Sequence, residues 1–126
     1  MGEYLNTSNG HIAIYDGINH TREWRKIVED KIKSSVNSKY SLVWIESILD
    51  DESEIIKNIM KDKIKAYNHM DEEEALKKYH EKISAVKEHY QSLSKKENEK
   101  ISFIKIYHNG AKVKVNKVQE YIPSKI

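Results

Sequence analysis

Short apolar runs alternate along this chain with longer stretches in which apolar residues recur every three or four positions. The runs at residues 11–15, 40–45 and 101–107 contain many β-branched and aromatic side chains and predict three strands. The Asn109-Gly110 pair predicts a tight two-residue turn after the third run. Residues 112–116 are therefore predicted to form a fourth strand, antiparallel to the third.

The stretches between the runs predict three amphipathic helices. Their apolar stripes extend from Trp24 to Val36, from Ile55 to Ile64 and from Ala75 to Tyr90. A residue type that commonly caps helices precedes each stripe, and the second and third caps have a glutamate three positions later: Thr21, Asp51 and Asp71. The three helix starts are thus predicted together with their caps.

The predicted order of elements is β-α-β-α-α-β-β. Strands that alternate with helices indicate an α/β fold with a mostly parallel sheet, here with an antiparallel C-terminal hairpin strand. Three helices are few for covering both faces of such a sheet. We therefore expect residues 1–126 to form a single domain that is the C-terminal part of a larger α/β unit. The unpaired edge of a partial sheet predicts dimer formation, strand exchange or a partner that supplies the missing N-terminal part.

Composition and charge narrow the function classes. The chain has 38% hydrophobic and 33% charged residues, and its 22 basic and 20 acidic residues are interspersed, which is not typical of a nucleic-acid-binding surface. It has no cysteines, and no apolar run approaches the roughly 18 residues that a membrane span needs. These features favour a soluble, cytoplasmic protein.

Two carboxylates follow the first two predicted strands. Asp16 and Glu46 would lie at the carboxyl ends of parallel strands, where α/β proteins bind their ligands. A carboxylate there can hold Mg²⁺ or accept a proton from an attacking hydroxyl. The alternative for Asp16 is that Asp and Gly only form the turn after the strand.

Three stretches of the chain resemble one family, in the same order along the sequence. IAIYDGINHTREWR, WIESILDDESEIIKNIMKDKI and ISFIKIYHNGAKVKVNKVQEYIPSKI are similar to segments of the 6-phosphofructo-2-kinase domain of the bifunctional enzymes that make and degrade fructose 2,6-bisphosphate. The resemblance covers nearly the whole chain from about residue 10. It implies part of a three-layer, P-loop-kinase-like α/β fold and the ATP-dependent, Mg²⁺-assisted phosphorylation of fructose 6-phosphate.

The resemblance also implies roles for individual residues. Asp16 matches the catalytic aspartate near the metal, and Asn58 and Lys63 match residues on the nucleotide side. Substrate contacts are implied for Arg25, Lys63 and Lys82. Arg22, Arg25 and Lys63 have a plain alternative as solvated surface charges, and Thr21 has one as a helix cap.

Several positions depart from the family pattern. The family has Thr, Arg, Cys, Arg and Tyr where this chain has Ile18, Trp24, Leu49, Lys82 and Val86. Lysine lacks the planar fork with which arginine grips phosphate, and isoleucine and valine side chains form no hydrogen bonds. The apolar stripes predict that Trp24 and Val86 pack in the core.

A phosphate-binding loop of the form GxxxxGK[ST] does not occur in the 126 residues. We therefore predict that this chain alone makes no fructose 2,6-bisphosphate. The alternatives are a non-catalytic relative that acts as a binding or scaffold module, and a small helical interaction domain whose likeness to the family is accidental.

Overall fold

The computed structural model describes residues 1–66, 70–97 and 99–118, without the side chains of residues 59 and 62–66. The elements in chain order are helices α1 (Gly2–Leu5) and α2 (Arg22–Ser35), strand β1 (Trp44–Ile48), helices α3 (Glu52–Ala66) and α4 (Glu72–Lys87), and strands β2 (Phe103–Tyr107) and β3 (Lys112–Asn116). The described helices include none that is long and apolar enough to cross a membrane.

The three strands form one mixed sheet in the order β1-β2-β3. β1 runs parallel to β2, with Trp44 opposite Phe103, and β2 runs antiparallel to β3, with Tyr107 opposite Lys112. The α/β class and the antiparallel C-terminal strand are thus confirmed. The predicted two-residue turn was wrong, because His108 and Asn109 both take positive φ angles and the connection uses four residues, 108–111.

The predicted first strand, residues 11–15, does not form within the described chain. The segment is not helical, and Ile12 and Ile14 are 55% and 89% exposed. A strand is defined by the backbone hydrogen bonds it exchanges with a neighbour, and β1 pairs only with β2. The prediction of a strand at residues 11–15 was therefore wrong.

The second predicted strand lies about four residues later than expected. β1 begins at Trp44 because its ladder partner β2 begins at Phe103. Glu46 is consequently in the middle of the strand and buried, and the prediction that it follows the strand end was wrong. The pairing with β2, which lies more than fifty residues away in sequence, decided the boundary.

All three predicted helix caps are present. The Thr21 hydroxyl accepts a hydrogen bond from Trp24 N–H at 3.1 Å, and the Asp71 carboxylate accepts one from Glu74 N–H at 2.8 Å. Asp51 accepts from the N–H groups of Ser53 and Glu54 at 2.9 and 3.2 Å. These side chains satisfy amides that the first turn of a helix leaves without partners.

The two faces of the sheet differ in how they are covered. Trp44 and Phe103 lie on the inner face, where they pack with Leu93 and Ile101, and Val28 of α2 lies against this cluster. The outer face carries Ile45, Val113 and Val115, which are 62%, 54% and 55% exposed. The main apolar cluster therefore lies on the inner face, while on the outer face Ile104 of the central strand is buried, at 4% exposed.

Two residues expected in the core lie at the surface. Trp24 on α2 and Val86 on α4 are 43% and 44% exposed, whereas Ile32 and Val36 at the other end of the α2 stripe are buried. Arg25, the neighbour of Trp24, is the buried residue of the first turn of α2, at 3% exposed. The α2 helix is thus turned so that an arginine faces inward where the apolar stripe predicted a tryptophan.

Candidate functional site

A cleft of about 270 Å³ opens beside strand β1. It is lined by the loop that leads into α2, by β1 itself and by the segment at the end of α4, through the residues Gly17, Ile18, Asn19, His20, Arg25, Trp44, Ile45, Glu46, Ser47, Val86, Tyr90 and Leu93. These segments are far apart in sequence, so the cleft is a product of the fold. Three of its lining residues, Ile18, Arg25 and Val86, are positions that the family resemblance names.

The wall formed by residues 17–20 is fixed by hydrogen bonds to the segment after α4. His20 C=O accepts from Gln91 N–H at 2.7 Å, and the Gln91 side chain accepts from Arg22 N–H at 2.8 Å. The second of these bonds satisfies an amide at the start of α2. Two sides of the cleft are therefore tied to each other directly.

Arg25 lies below this loop with its charge neutralised. Its Nε donates to Glu97 Oε2 at 3.0 Å, a second guanidinium nitrogen donates to the other oxygen of Glu97, and Nη1 donates to Asn19 C=O at 2.8 Å. The side chains of Arg25 and Glu97 are only 4% and 8% exposed. Arg25 is therefore not a plain surface charge, and its paired geometry uses the fork with which arginine would otherwise grip a phosphate.

Glu46 anchors a second buried network on the floor of the cleft. Its carboxylate accepts hydrogen bonds from Tyr90 Oη, from Ser92 Oγ at 3.1 Å and from Leu93 N–H at 3.1 Å. Lys105 of the neighbouring strand places its ammonium 3.4 Å from Glu46 and donates to Ser92 Oγ at 2.7 Å. The network joins β1, β2 and the segment after α4 into one polar cluster.

The cluster shifts the pKa of two of its members. Burial alone raises the pKa of Glu46, but the hydrogen bonds from Tyr90, Ser92 and Leu93, with the Lys105 charge, outweigh it and bring that pKa below its usual value. Burial and the bond to Glu46 raise the pKa of the Tyr90 hydroxyl. At neutral pH the pair therefore consists of an ionised carboxylate and a protonated phenol that donates to it.

Sequence reasoning missed this cluster, although β2 contains a signal for it. Lys105 is the only charged residue in the run ISFIKIY. A lysine in the middle of a buried strand needs a counter-charge. Its register partner on β1 is Glu46.

The residues implied by the family resemblance do not all meet at the cleft. Arg25 lines it, Asp16 is exposed and directly precedes its first lining residue, and Lys82 is exposed one helical turn before Val86. Asn58 is exposed on α3 and does not line the cleft. The side chain of Lys63 lies outside the described residues. Of the implied site residues whose side chains are described, Arg25 alone lines the cleft.

Two of the five departures from the family pattern line this cleft. Ile18 and Val86 both line it, at 75% and 44% exposed, in place of a threonine and a tyrosine of the family pattern. Trp24, in place of an arginine, is exposed on α2 next to Arg25. The cleft thus presents two apolar side chains at positions where the family pattern has hydrogen-bonding groups.

The residues present do not fit ATP with Mg²⁺. Asp16 is a single exposed carboxylate, and the described residues contain no group of three or more side chains that could hold a metal ion. Mg²⁺ is often held by one or two carboxylates together with nucleotide phosphates, but those phosphates need main-chain donors such as a glycine-rich loop supplies. The sequence has no GxxxxGK[ST] motif to supply them.

Comparison with known proteins gives one consistent result. The family model for 6-phosphofructo-2-kinase matches residues 1–126. A 6-phosphofructo-2-kinase/fructose-2,6-bisphosphatase from Aquarana catesbeiana is 32% identical over 124 residues, which are 97% of this chain and 26% of the relative. A 6-phosphofructo-2-kinase/fructose-2,6-bisphosphatase 1 from Rattus norvegicus is 31% identical over 98% of this chain and 26% of the relative. A 6-phosphofructo-2-kinase/fructose-2,6-bisphosphatase from Caenorhabditis elegans is also 31% identical, over 100% of this chain and 28% of the relative. The chain thus spans about a quarter of the length of the curated relatives it matches.

Proposed function

Because the chain belongs to the 6-phosphofructo-2-kinase family, we propose that it forms the sugar-phosphate side of a 6-phosphofructo-2-kinase-like domain. The reaction proposed for the complete domain is the ATP-dependent phosphorylation of the 2-hydroxyl of fructose 6-phosphate, in cytoplasmic fructose 2,6-bisphosphate metabolism. The chain alone is proposed not to carry out this reaction. The family membership removes the alternative that the likeness is accidental.

The observation that carries the proposal is the cleft beside β1. It brings together Ile18 and Arg25, from one stretch that resembles the family, and Val86 of α4, which stands where the family pattern has a tyrosine. Asp16 directly precedes this cleft and is proposed as the catalytic and metal-side carboxylate. Lys82 is proposed to supply positive charge from α4.

Arg25 has a different proposed role from the one its sequence position implies. Its guanidinium is held by Glu97 and Asn19 C=O, so it orients the loop of residues 17–20 and leaves the sugar phosphate to other groups. The nucleotide-side roles of Asn58 and Lys63 rest on the resemblance alone.

A phosphoryl-transfer assay tests the proposal. The purified chain, with ATP, Mg²⁺ and fructose 6-phosphate, is expected to give no more fructose 2,6-bisphosphate than its Asp16→Asn variant gives. Product that the wild type makes and Asp16→Asn does not make would contradict the claim that this chain is inactive alone. It would also establish Asp16 as a catalytic residue.

A second candidate is a non-catalytic relative that serves as a binding or scaffold module. Ile18 and Val86 favour this second candidate, because they give the cleft an apolar lining. Arg25 favours it too, because its charge is already paired with Glu97. Calorimetric titration separates the two candidates. Fructose 6-phosphate that binds with a micromolar dissociation constant would exclude an inert sugar site.

A further inference from the structure

The cleft has a single permanent cation in its wall. Arg25 is the only lysine or arginine among the described residues that line it. Lys82, on α4, is exposed and does not line the cleft. A phosphate group inside the cleft would therefore depend on the Arg25 guanidinium for a charged partner in the lining.

Glu97 occupies the fork of this guanidinium. Arg25 Nε donates to Glu97 Oε2 at 3.0 Å, and Nη2 donates to Glu97 Oε1. This is the two-bond geometry in which an arginine also holds two oxygens of a phosphate. The third nitrogen, Nη1, donates to Asn19 C=O at 2.8 Å. All three guanidinium nitrogens thus already donate within the protein.

The Glu97 carboxylate acts on the cleft through Arg25. Arg25 lines the cleft and Glu97 does not, and their side chains are only 4% and 8% exposed. A buried carboxylate is poorly screened by solvent and salt, so it repels a second anion more strongly than a surface carboxylate does. Glu97 therefore neutralises the arginine and also opposes the approach of an anionic ligand to it.

The chain after α4 holds Glu97 in this position. Glu97 N–H donates to Ser94 C=O at 3.0 Å, and Lys96 N–H donates to Ser94 Oγ at 3.1 Å. This turn directly follows Leu93, a buried residue that lines the cleft. The segment that forms one side of the cleft thus also places the carboxylate against Arg25.

From these observations we infer that Glu97 determines the ligand specificity of the cleft, because it withholds Arg25 from anions, and that a chain without this carboxylate binds a phosphate group at Arg25. Glu97 is a positioning residue in this account, since it acts on a ligand only through the guanidinium. The link from this phosphate to a sugar phosphate rests on the proposed function, whereas the anion site itself does not.

Calorimetric titration of inorganic phosphate at constant ionic strength tests the inference. Glu97→Ala removes the carboxylate and leaves space beside the guanidinium, so it is expected to bind phosphate at least about tenfold more tightly than the wild type. Glu97→Asp keeps a negative charge next to Arg25 and is expected to bind as the wild type does. Glu99→Ala is the matched control, because it makes the same change of net charge at an exposed position.

A second pair of variants locates the bound phosphate. Ile18 lines the cleft and is 75% exposed, so adding Ile18→Glu to Glu97→Ala places a new carboxylate in the cleft and is expected to abolish the gain in phosphate affinity. Val115 is 55% exposed on the outer face of the sheet. Adding Val115→Glu to Glu97→Ala makes the same charge change there and is expected to leave the gain intact.

Urea unfolding with and without phosphate separates a binding effect from a loss of folding, because removing Glu97 leaves a buried arginine charge without its partner. Phosphate stabilises folded proteins in general, so the shift of the urea midpoint is compared between variants. The shift is expected to be larger for Glu97→Ala than for Glu99→Ala. If the alanine variant does not fold, Glu97→Gln, which keeps the size of the side chain, takes its place in every measurement with the same expected results.

Equal phosphate affinities and equal midpoint shifts in the Glu97 and Glu99 variants would overturn the inference. A gain in affinity that Ile18→Glu leaves unchanged would overturn it too, because the phosphate would then lie outside the cleft. Inorganic phosphate contains no sugar, so a failure here leaves the proposed sugar contacts untouched. Those contacts are tested separately with fructose 6-phosphate in chains that keep Glu97.

Discussion

At the scale of single residues, the structure contains two buried ion pairs in addition to its apolar core. Glu46 and Lys105 face each other across β1 and β2, and Arg25 and Glu97 join α2 to the segment after α4. A buried pair of this kind contributes little net stability against an apolar alternative, but it becomes costly when one partner is removed. These four side chains thus favour the observed register of the sheet and the observed position of the loop of residues 17–20 over alternative arrangements.

The Glu46–Lys105 pair can be tested by substitution. Glu46→Gln is expected to lower the free energy of unfolding by about 3 kcal/mol, because it leaves the Lys105 ammonium buried without a counter-charge. Combining it with Lys105→Met is expected to cost less than the two single changes added together. Asp30→Asn is the control, since Asp30 pairs with Lys26 at the surface and its loss is expected to cost less than about 1 kcal/mol. Urea unfolding measures the wild type, both single variants, the double variant and Asp30→Asn, and equal losses for Glu46→Gln and Asp30→Asn would contradict a buried role for Glu46.

The Glu46 carboxylate also makes the free energy of unfolding depend on pH, in a direction that follows from its pKa. The pKa of Glu46 in the folded chain lies below its usual value of 4.5, so the folded state binds fewer protons than the unfolded state in that range. Its contribution is complete above about pH 5 and is lost as the pH falls through the lower, folded value. The wild type is therefore expected to lose more stability between about pH 6 and about pH 3 than Glu46→Gln does. Urea midpoints at several pH values give the comparison, and parallel curves for the two chains would refute it.

At the scale of elements, local signals predicted the helices better than the strands. Thr21, Asp51 and Asp71 each cap the helix they were expected to cap, because a cap acts within three residues of its own position. β1 was displaced, and residues 11–15 did not become a strand, because a strand depends on a partner that the local sequence does not specify. Trp24 and Val86 follow the helical repeat and are nevertheless exposed, since the repeat marks an apolar face without stating what covers it.

The α2 cap also separates a structural role of Thr21 from a ligand role. Thr21→Ala is expected to destabilise the fold by about 1 kcal/mol through loss of the bond to Trp24 N–H, and Thr21→Ser, which keeps the hydroxyl, by much less. Thermal unfolding measured without ligand detects this difference. Equal midpoints for the alanine and serine variants would show that the hydroxyl does not stabilise the helix start.

At the scale of the whole molecule, the fold brings Ile18, Arg25 and Val86 to one cleft, and two of these three, Ile18 and Val86, depart from the family pattern. The sequence predicted the α/β class, the family and the altered positions. It could not predict that Ile18, Arg25 and Val86 share one cleft, because their meeting depends on how the start of α2 packs against the end of α4, far away in sequence. Nor could it predict that Arg25 would be held by Glu97, seventy-two positions away.

If the cleft is a sugar-phosphate site with altered contacts, returning two of its residues to the family pattern should restore binding. Ile18→Thr with Val86→Tyr places two hydroxyl groups at exposed positions of the cleft lining, where neither change disturbs the buried core. A hydrogen bond to a charged group contributes about 1.5–3 kcal/mol, and about 1.4 kcal/mol corresponds to a tenfold change in affinity. Paired changes at the outer-face residues Val113 and Val115, to Tyr and Thr, provide the control.

Calorimetric titration of fructose 6-phosphate into these three chains is the measurement that decides whether the cleft descends from the sugar site of a 6-phosphofructo-2-kinase. We expect the Ile18→Thr, Val86→Tyr chain to bind at least about tenfold more tightly than the wild type, and the outer-face control to bind as the wild type does. An affinity in the restored chain no greater than that of the wild type and the control would show that the cleft is not a sugar-phosphate site.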